Sequence, residues 1–185
     1  MIELIIVIVV AGILAAVMIP KMERDNLREA ANQVVRHIQF TQHLAMVDDV
    51  YDAAVPKWEL SLWTITFSKK NCYTVYSGKL SRKDAAVDPA TNTLLFSNNA
   101  CKSNKLDNGD LLLEKKYNTK LTFSGCSGRN ISFDNLGRPL KSKNIRKPIT
   151  SKLGCVVTLD NNGRKAVITV ERESGFTHIT SFDSL

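Results

Sequence analysis

An α+β fold is predicted: one long N-terminal helix packed on an antiparallel β-sheet head that disulfides brace. Three observations predict it. Residues 2–19 are apolar except at Glu3, and residues 27–45 carry apolar side chains at helical spacing. From Trp58 onward the spacing shifts to short alternating runs separated by turn signals.

The opening run forms the first half of the helix. At ~1.5 Å per residue, residues 1–19 span about 28 Å, close to the ~30 Å hydrocarbon core of a bilayer, so they read as a transmembrane helix. No basic stretch precedes the run and no small-x-small site leads into a turn, which argues against a cleaved secretory signal. Glu3 is the one ionisable residue in it. A carboxylate in an apolar helix is costly without a partner. In helices packed side by side it can pair with a neighbour's terminal ammonium and set the axial register.

Pro20 marks a kink, and residues 20–48 read as an amphipathic continuation of the same helix. Its apolar stripe is Leu27, Ala31, Val34, Ile38 and Ala45, widened by Ala30, Val35 and Leu44. Arg24, Glu29, Gln33, Arg36 and Gln39 fill the outer face. The stripe predicts packing on a sheet.

Residues 49–185 read as a β-rich head. Trp58–Leu62 alternates, with Trp63, Ile65 and Phe67 continuing on the other face. Further strands are predicted at 72–76, 111–115, 120–123, 130–133, 155–159 and 166–171. Asp160-Asn161-Asn162-Gly163 is a hairpin signal, and Asp134-Asn135-Leu136-Gly137 a turn closed by Pro139. Residues 79–110 are polar and read as a long loop with a short strand at 94–96.

Four cysteines, Cys72, Cys101, Cys126 and Cys155, include no C-x-x-C pair, so zinc and thioredoxin-type sites lack their spacing. After an apolar anchor they suggest disulfides in an oxidising compartment. Three connectivities are open. Cys72–Cys101 with Cys126–Cys155 is favoured, because each bond closes a modest local loop that stabilises by about 3 kcal/mol.

The string IELIIVIVVAGILAAVMIPKM, with Glu3, Gly12-Ile13-Leu14-Ala15-Ala16 and Pro20, resembles the N-terminus of type IV pilins and type II secretion pseudopilins. It covers about a tenth of the chain. In that family a basic leader ending in glycine is cut before an N-methylated phenylalanine; this sequence opens at Met1 and has no Phe-Thr pair ahead of Glu3. ISFDNLGRP, GCVVTL and AVITV…SGFTHI resemble the heads of GspH/FimT-type minor pilins.

The resemblance implies a pilin-like fold, no catalytic activity, no cofactor, and assembly with other pilins or pseudopilins through the N-terminal helix. It also implies an inner-membrane assembly platform and membrane lipid as partners. The family places a single-pass protein in the inner membrane with a periplasmic head, and in a pilus or pseudopilus once assembled. Lys21, Arg24 and Arg28 follow the span, which by charge alone puts the head in the cytoplasm; the cysteines and the resemblance favour the opposite side. Type IV pilus and type II secretion membership both stand, since the two share anchor and head.

Catalytic motifs are lacking. His37, His43 and His178 have no metal-binding spacing and are expected at the surface, and no G-x-S-x-G elbow or P-loop occurs. The chain carries 25 basic and 18 acidic residues. Between Asp134 and Asp160 lie Arg138, Lys141, Lys143, Arg146, Lys147 and Lys152 with no acid among them. With Arg164 and Lys165 they are candidate contacts for DNA phosphate or another anion. The alternative function is therefore a DNA-binding minor pilin for DNA uptake in natural transformation. Against it, no aromatic residue lies between Leu140 and Gly154 to stack on bases.

Overall fold

The structure, a computed structural model, describes residues 2–18, 26–48, 50–98, 101, 108–141, 143 and 147–183. Two helices open the chain, α1 (Ile2–Met18) and α2 (Asn26–Val47). The head contains β1 (Thr64–Phe67), β2 (Tyr73–Tyr76), β3 (Val87–Asp88), β4 (Thr93–Leu94) and the short α3 (Leu113–Tyr117). It continues through β5 (Lys120–Ser124), β6 (Asn130–Phe133), β7 (Pro139–Leu140), β8 (Cys155–Asn161), β9 (Arg164–Val170) and β10 (Thr177–Phe182).

The predicted long helix with a transmembrane half is corrected. The apolar helix α1 has 17 residues, about 26 Å at 1.5 Å per residue and short of the ~30 Å core. The 22-residue α2 is amphipathic and buries one stripe in the head. Among the described residues no helix is long and apolar enough to cross a membrane, so a single-pass inner-membrane placement is not supported either. The kink expected at Pro20 lies outside the described residues.

Two four-stranded sheets form, in the orders β2-β1-β6-β7 and β10-β9-β8-β5, with β3-β4 as a separate hairpin; every pairing is antiparallel. The stripe on α2 packs on both sheets: Leu27, Ala30, Ala31, Val34, Ile38 and Ala45 are buried against inward-facing residues. Ile65, Val75, Ile131 and Phe133 come from the first sheet, and Val157, Leu159, Ile168 and Val170 from the second. Alternation along β8 and β9 sends every second side chain inward, as a half-buried strand requires.

Asn71 joins the two sheets. Its carbonyl accepts from Leu113 N–H, its Oδ1 from Leu121 N–H on β5, and its Nδ2 donates to Glu114. Phe67 and Phe123 pack across the same junction with ring centroids 5.1 Å apart. The disulfides are Cys72–Cys101 and Cys126–Cys155, each closing a separation of 29 residues, the pairing favoured on loop length.

Several local expectations change. Residues 111–115 form a 3-10 turn and α3 rather than a strand. Asn108 caps this segment by accepting from Asp110 N–H, and Asn118, in the left-handed region, ends it. Residues 58–61 form a 3-10 turn that precedes β1. The hairpin at Asn162-Gly163 forms as expected: both residues have positive φ, and Asp160 Oδ1 accepts from Gly163 N–H. The strand β10 has no counterpart among the predicted strands.

Candidate functional site

The most unusual surface belongs to α1. Ile5, Ile6, Val7, Ile8, Val9, Val10, Ile13 and Leu14 are all exposed, at 49–65% of their full areas. They are consecutive or nearly so, and thus point around the whole helix. A contiguous apolar surface of this kind on a described element marks an interaction site. Glu3 is exposed in its first turn.

The other helix, α2, holds the 134–138 turn and the C-terminal segment at 174–176. Asp134, buried, closes the 134–138 turn. Its Oδ1 accepts from the N–H groups of Leu136 and Arg138, and its Oδ2 from Arg138 Nε at 2.8 Å. Gln42 on α2 donates to the carbonyls of Gly137 and Ser174 at 2.9 and 2.8 Å. Gly175 sits beneath at φ +69, where a Cβ would meet the Gly137 carbonyl and the Gln42 amide. One side chain on α2 therefore fastens both the Phe-Asp-x-x-Gly-Arg turn and the C-terminal Ser-Gly-Phe segment.

The basic candidates do not converge. Lys141, Lys147, Lys152 and Lys165 are exposed, Arg164 is half-buried, and Arg146 lies outside the described residues. Lys143 turns inward: its ammonium donates to the carbonyls of Leu60 and Gly78 at 2.7 and 2.6 Å and lies 4.5 Å over the Tyr76 ring. Burial lowers its pKa to about 8, with Asp84 opposing. Lys152 precedes the start of β8, whereas Arg164 and Lys165 face its far end, about 20 Å away along seven residues of strand.

Histidines divide in the same unexpected way. His43 is exposed and His178 half-exposed, but His37 is buried, which corrects the surface expectation. It follows Val34 by three residues and Ala30 by seven, so it falls on the buried stripe; that spacing was the signal available in the sequence. Burial first, and then Arg36, lower its pKa from 6.5 to about 4 against the opposing pull of Asp88. Burial raises Tyr73 and Tyr117. Burial also acts to raise Asp88, but the Ala90 N–H, the Thr91 hydroxyl, His37 and Arg36 together hold it below its ordinary value. Lys116 lies above its ordinary value: burial works against its charge, but its contacts with Asp110 and Tyr117 outweigh that.

Among the described residues no three His, Cys, Asp or Glu side chains gather where a metal ion could be held. Compared with known proteins, the chain matches no family model, no curated protein and no solved structure.

Proposed function

We propose that this chain is a filament-assembly subunit of the minor pilin or pseudopilin type, with α1 packing among the equivalent helices of neighbouring subunits. The observation that carries the reading is the exposed apolar circumference of α1 with a single carboxylate at Glu3. The resemblance of residues 2–22 to pilin N-termini supplies the kind of partner.

The energetics favour several neighbours over one. Burying the open half of each of these apolar side chains recovers about 1 kcal/mol, about 8 kcal/mol for the set. Association itself costs about 4–15 kcal/mol. A single neighbour covers one side of the helix and recovers only part of the gain. A bundle that surrounds α1 recovers most of it.

Glu3 has the opposite character. An unpaired carboxylate taken into such a bundle costs several kcal/mol, so it favours the register in which a neighbour's terminal ammonium reaches it. The head, fixed by two disulfides, then lies at the filament surface.

Co-expression with a compatible set of pilins tests this. Glu3→Ala should lower the subunit's share in purified filaments about tenfold, and deletion of residues 2–18 should abolish it. Incorporation of either variant at the level of the unaltered chain would overturn the reading.

A further inference from the structure

A chain of hydrogen bonds, buried at its inner end, ties α2 to the head, and every proton in it has a direction. The amide nitrogen of Gln33 has two hydrogens: one goes to Tyr73 Oη at 2.8 Å, the other to the Asp110 carbonyl at 2.7 Å. Gln33 Oε1 accepts the Tyr117 hydroxyl at 2.6 Å. With Gln33 donating to it, the Tyr73 hydroxyl directs its own proton to His37 Nδ1 at 2.6 Å. Nδ1 is therefore the acceptor, and the imidazole hydrogen sits on Nε2. Among the described residues that nitrogen has no hydrogen-bond partner; the acid beside it, Asp88 Oδ2, is 3.6 Å away.

The ring thus has one made contact, to β2, and one unmade contact, to β3. Facing it are Tyr73 from β2, Asp88 from β3, Asp110 from the 3-10 turn at 109–111, and Arg36 from α2 itself. A surface cleft lined by Glu29, Gln33, Arg36, Asp110, Lys116 and Tyr117 opens the outer end of the chain to water.

We propose that His37 is an acid-operated latch: a proton taken up at Nδ1 sets donor against donor at Tyr73 and moves the ring's partnership from Tyr73 on β2 to Asp88 on β3. The swap balances without any further reactant. One proton from solvent is added, the Tyr73 hydroxyl loses its acceptor, and the imidazolium gains the Asp88 carboxylate as a charged partner. Among the described residues Tyr73 has no second acceptor, because Gln33 faces it with a donor and gives its carbonyl to Tyr117. The latch is closed at neutral pH, since burial holds His37 near 4. Only the segment where α2 meets β2 and the β3–β4 hairpin is addressed; the second sheet does not touch the switch through any of these bonds.

The test is an NMR titration of the full-length chain in mild detergent from pH 7 to pH 3. At pH 7 the His37 imidazole should be the Nε2–H tautomer. Its signals should titrate with a midpoint of about 4, and the Tyr73 ring and Gln33 amide signals should move with the same midpoint. In Tyr73→Phe the donor conflict is gone, so His37 should protonate at an about tenfold lower proton concentration. An Nδ1–H tautomer at pH 7, a midpoint near 6.5, Tyr73 and Gln33 signals that ignore the titration, or an unchanged midpoint in Tyr73→Phe would each overturn the latch. Should Tyr73→Phe fail to fold, the tautomer and the shared midpoint of the unaltered chain decide the matter.

Discussion

The two N-terminal helices have opposite relations to the rest of the molecule. Helix α1 exposes apolar side chains all round and buries none of those described in the head. Helix α2 divides itself: Leu27, Ala31, Val34 and Ile38 enter the core, while Gln33, Gln39 and Gln42 reach across to carbonyls of the head. The difference separates two kinds of apolar surface. On α2 it is satisfied within the chain and contributes to folding stability. On α1 it is left exposed, and under the proposed function it contributes to association.

The sharpest way to break that comparison is to remove the same atoms from each helix. Ile38→Ala should cost about 3–4 kcal/mol of head stability, since Ile38 is fully buried among side chains of both sheets. Ile8→Ala, at a site 62% exposed, should change it by under about 0.5 kcal/mol while weakening assembly. Denaturant unfolding of both variants measures the contrast. Equal costs would mean that α1 is packed in the folded chain.

Acid gives a slightly smaller effect confined to the second helix. His37 has a folded pKa of about 4 and an unfolded value of 6.5. Between those values the unfolded chain holds the extra proton, so stability rises with pH across that window. The full difference amounts to about 3 kcal/mol, present above pH 6.5 and lost as the pH falls towards 4. Unfolding free energies measured at pH 4 and pH 7 should differ by about this much from His37, and the slope should flatten in His37→Gln.

The smallest effect concerns the grip of α2 on the C-terminal segment. Gln42→Ala removes two hydrogen bonds to carbonyls and should cost about 1–2 kcal/mol. Amide exchange should quicken at 134–138 and 174–177 before it does in β8 and β9. Uniform quickening across both sheets would show that Gln42 supports the whole head rather than these two loops.

Much of the architecture was legible because it is local. The stripe on α2 follows from spacings of three, four and seven residues, and the β8–β9 hairpin from Asp160-Asn161-Asn162-Gly163, whose last two residues accept positive φ. The disulfide pairing followed from loop length. The strand predicted at 111–115 failed because Leu111, Leu112 and Leu113 form an apolar run that strand and helix can both use, and the deciding caps, Asn108 and Asn118, flank it. The membrane span is not supported, because among the described residues no helix is both long and apolar enough to cross a bilayer.

The candidate sites were less legible, for one reason. A basic or aromatic side chain is chosen by partners far away in sequence. Lys143 meets carbonyls 83 and 65 residues distant, and His37 meets Tyr73 36 residues distant. The sequence by itself determined which faces are apolar, where the chain turns, and that the opening helix carries one carboxylate. Only the tertiary structure decided which polar groups are enclosed, because enclosure depends on elements that arrive from elsewhere in the chain, and a buried charge or donor survives only where such an element brings it a partner.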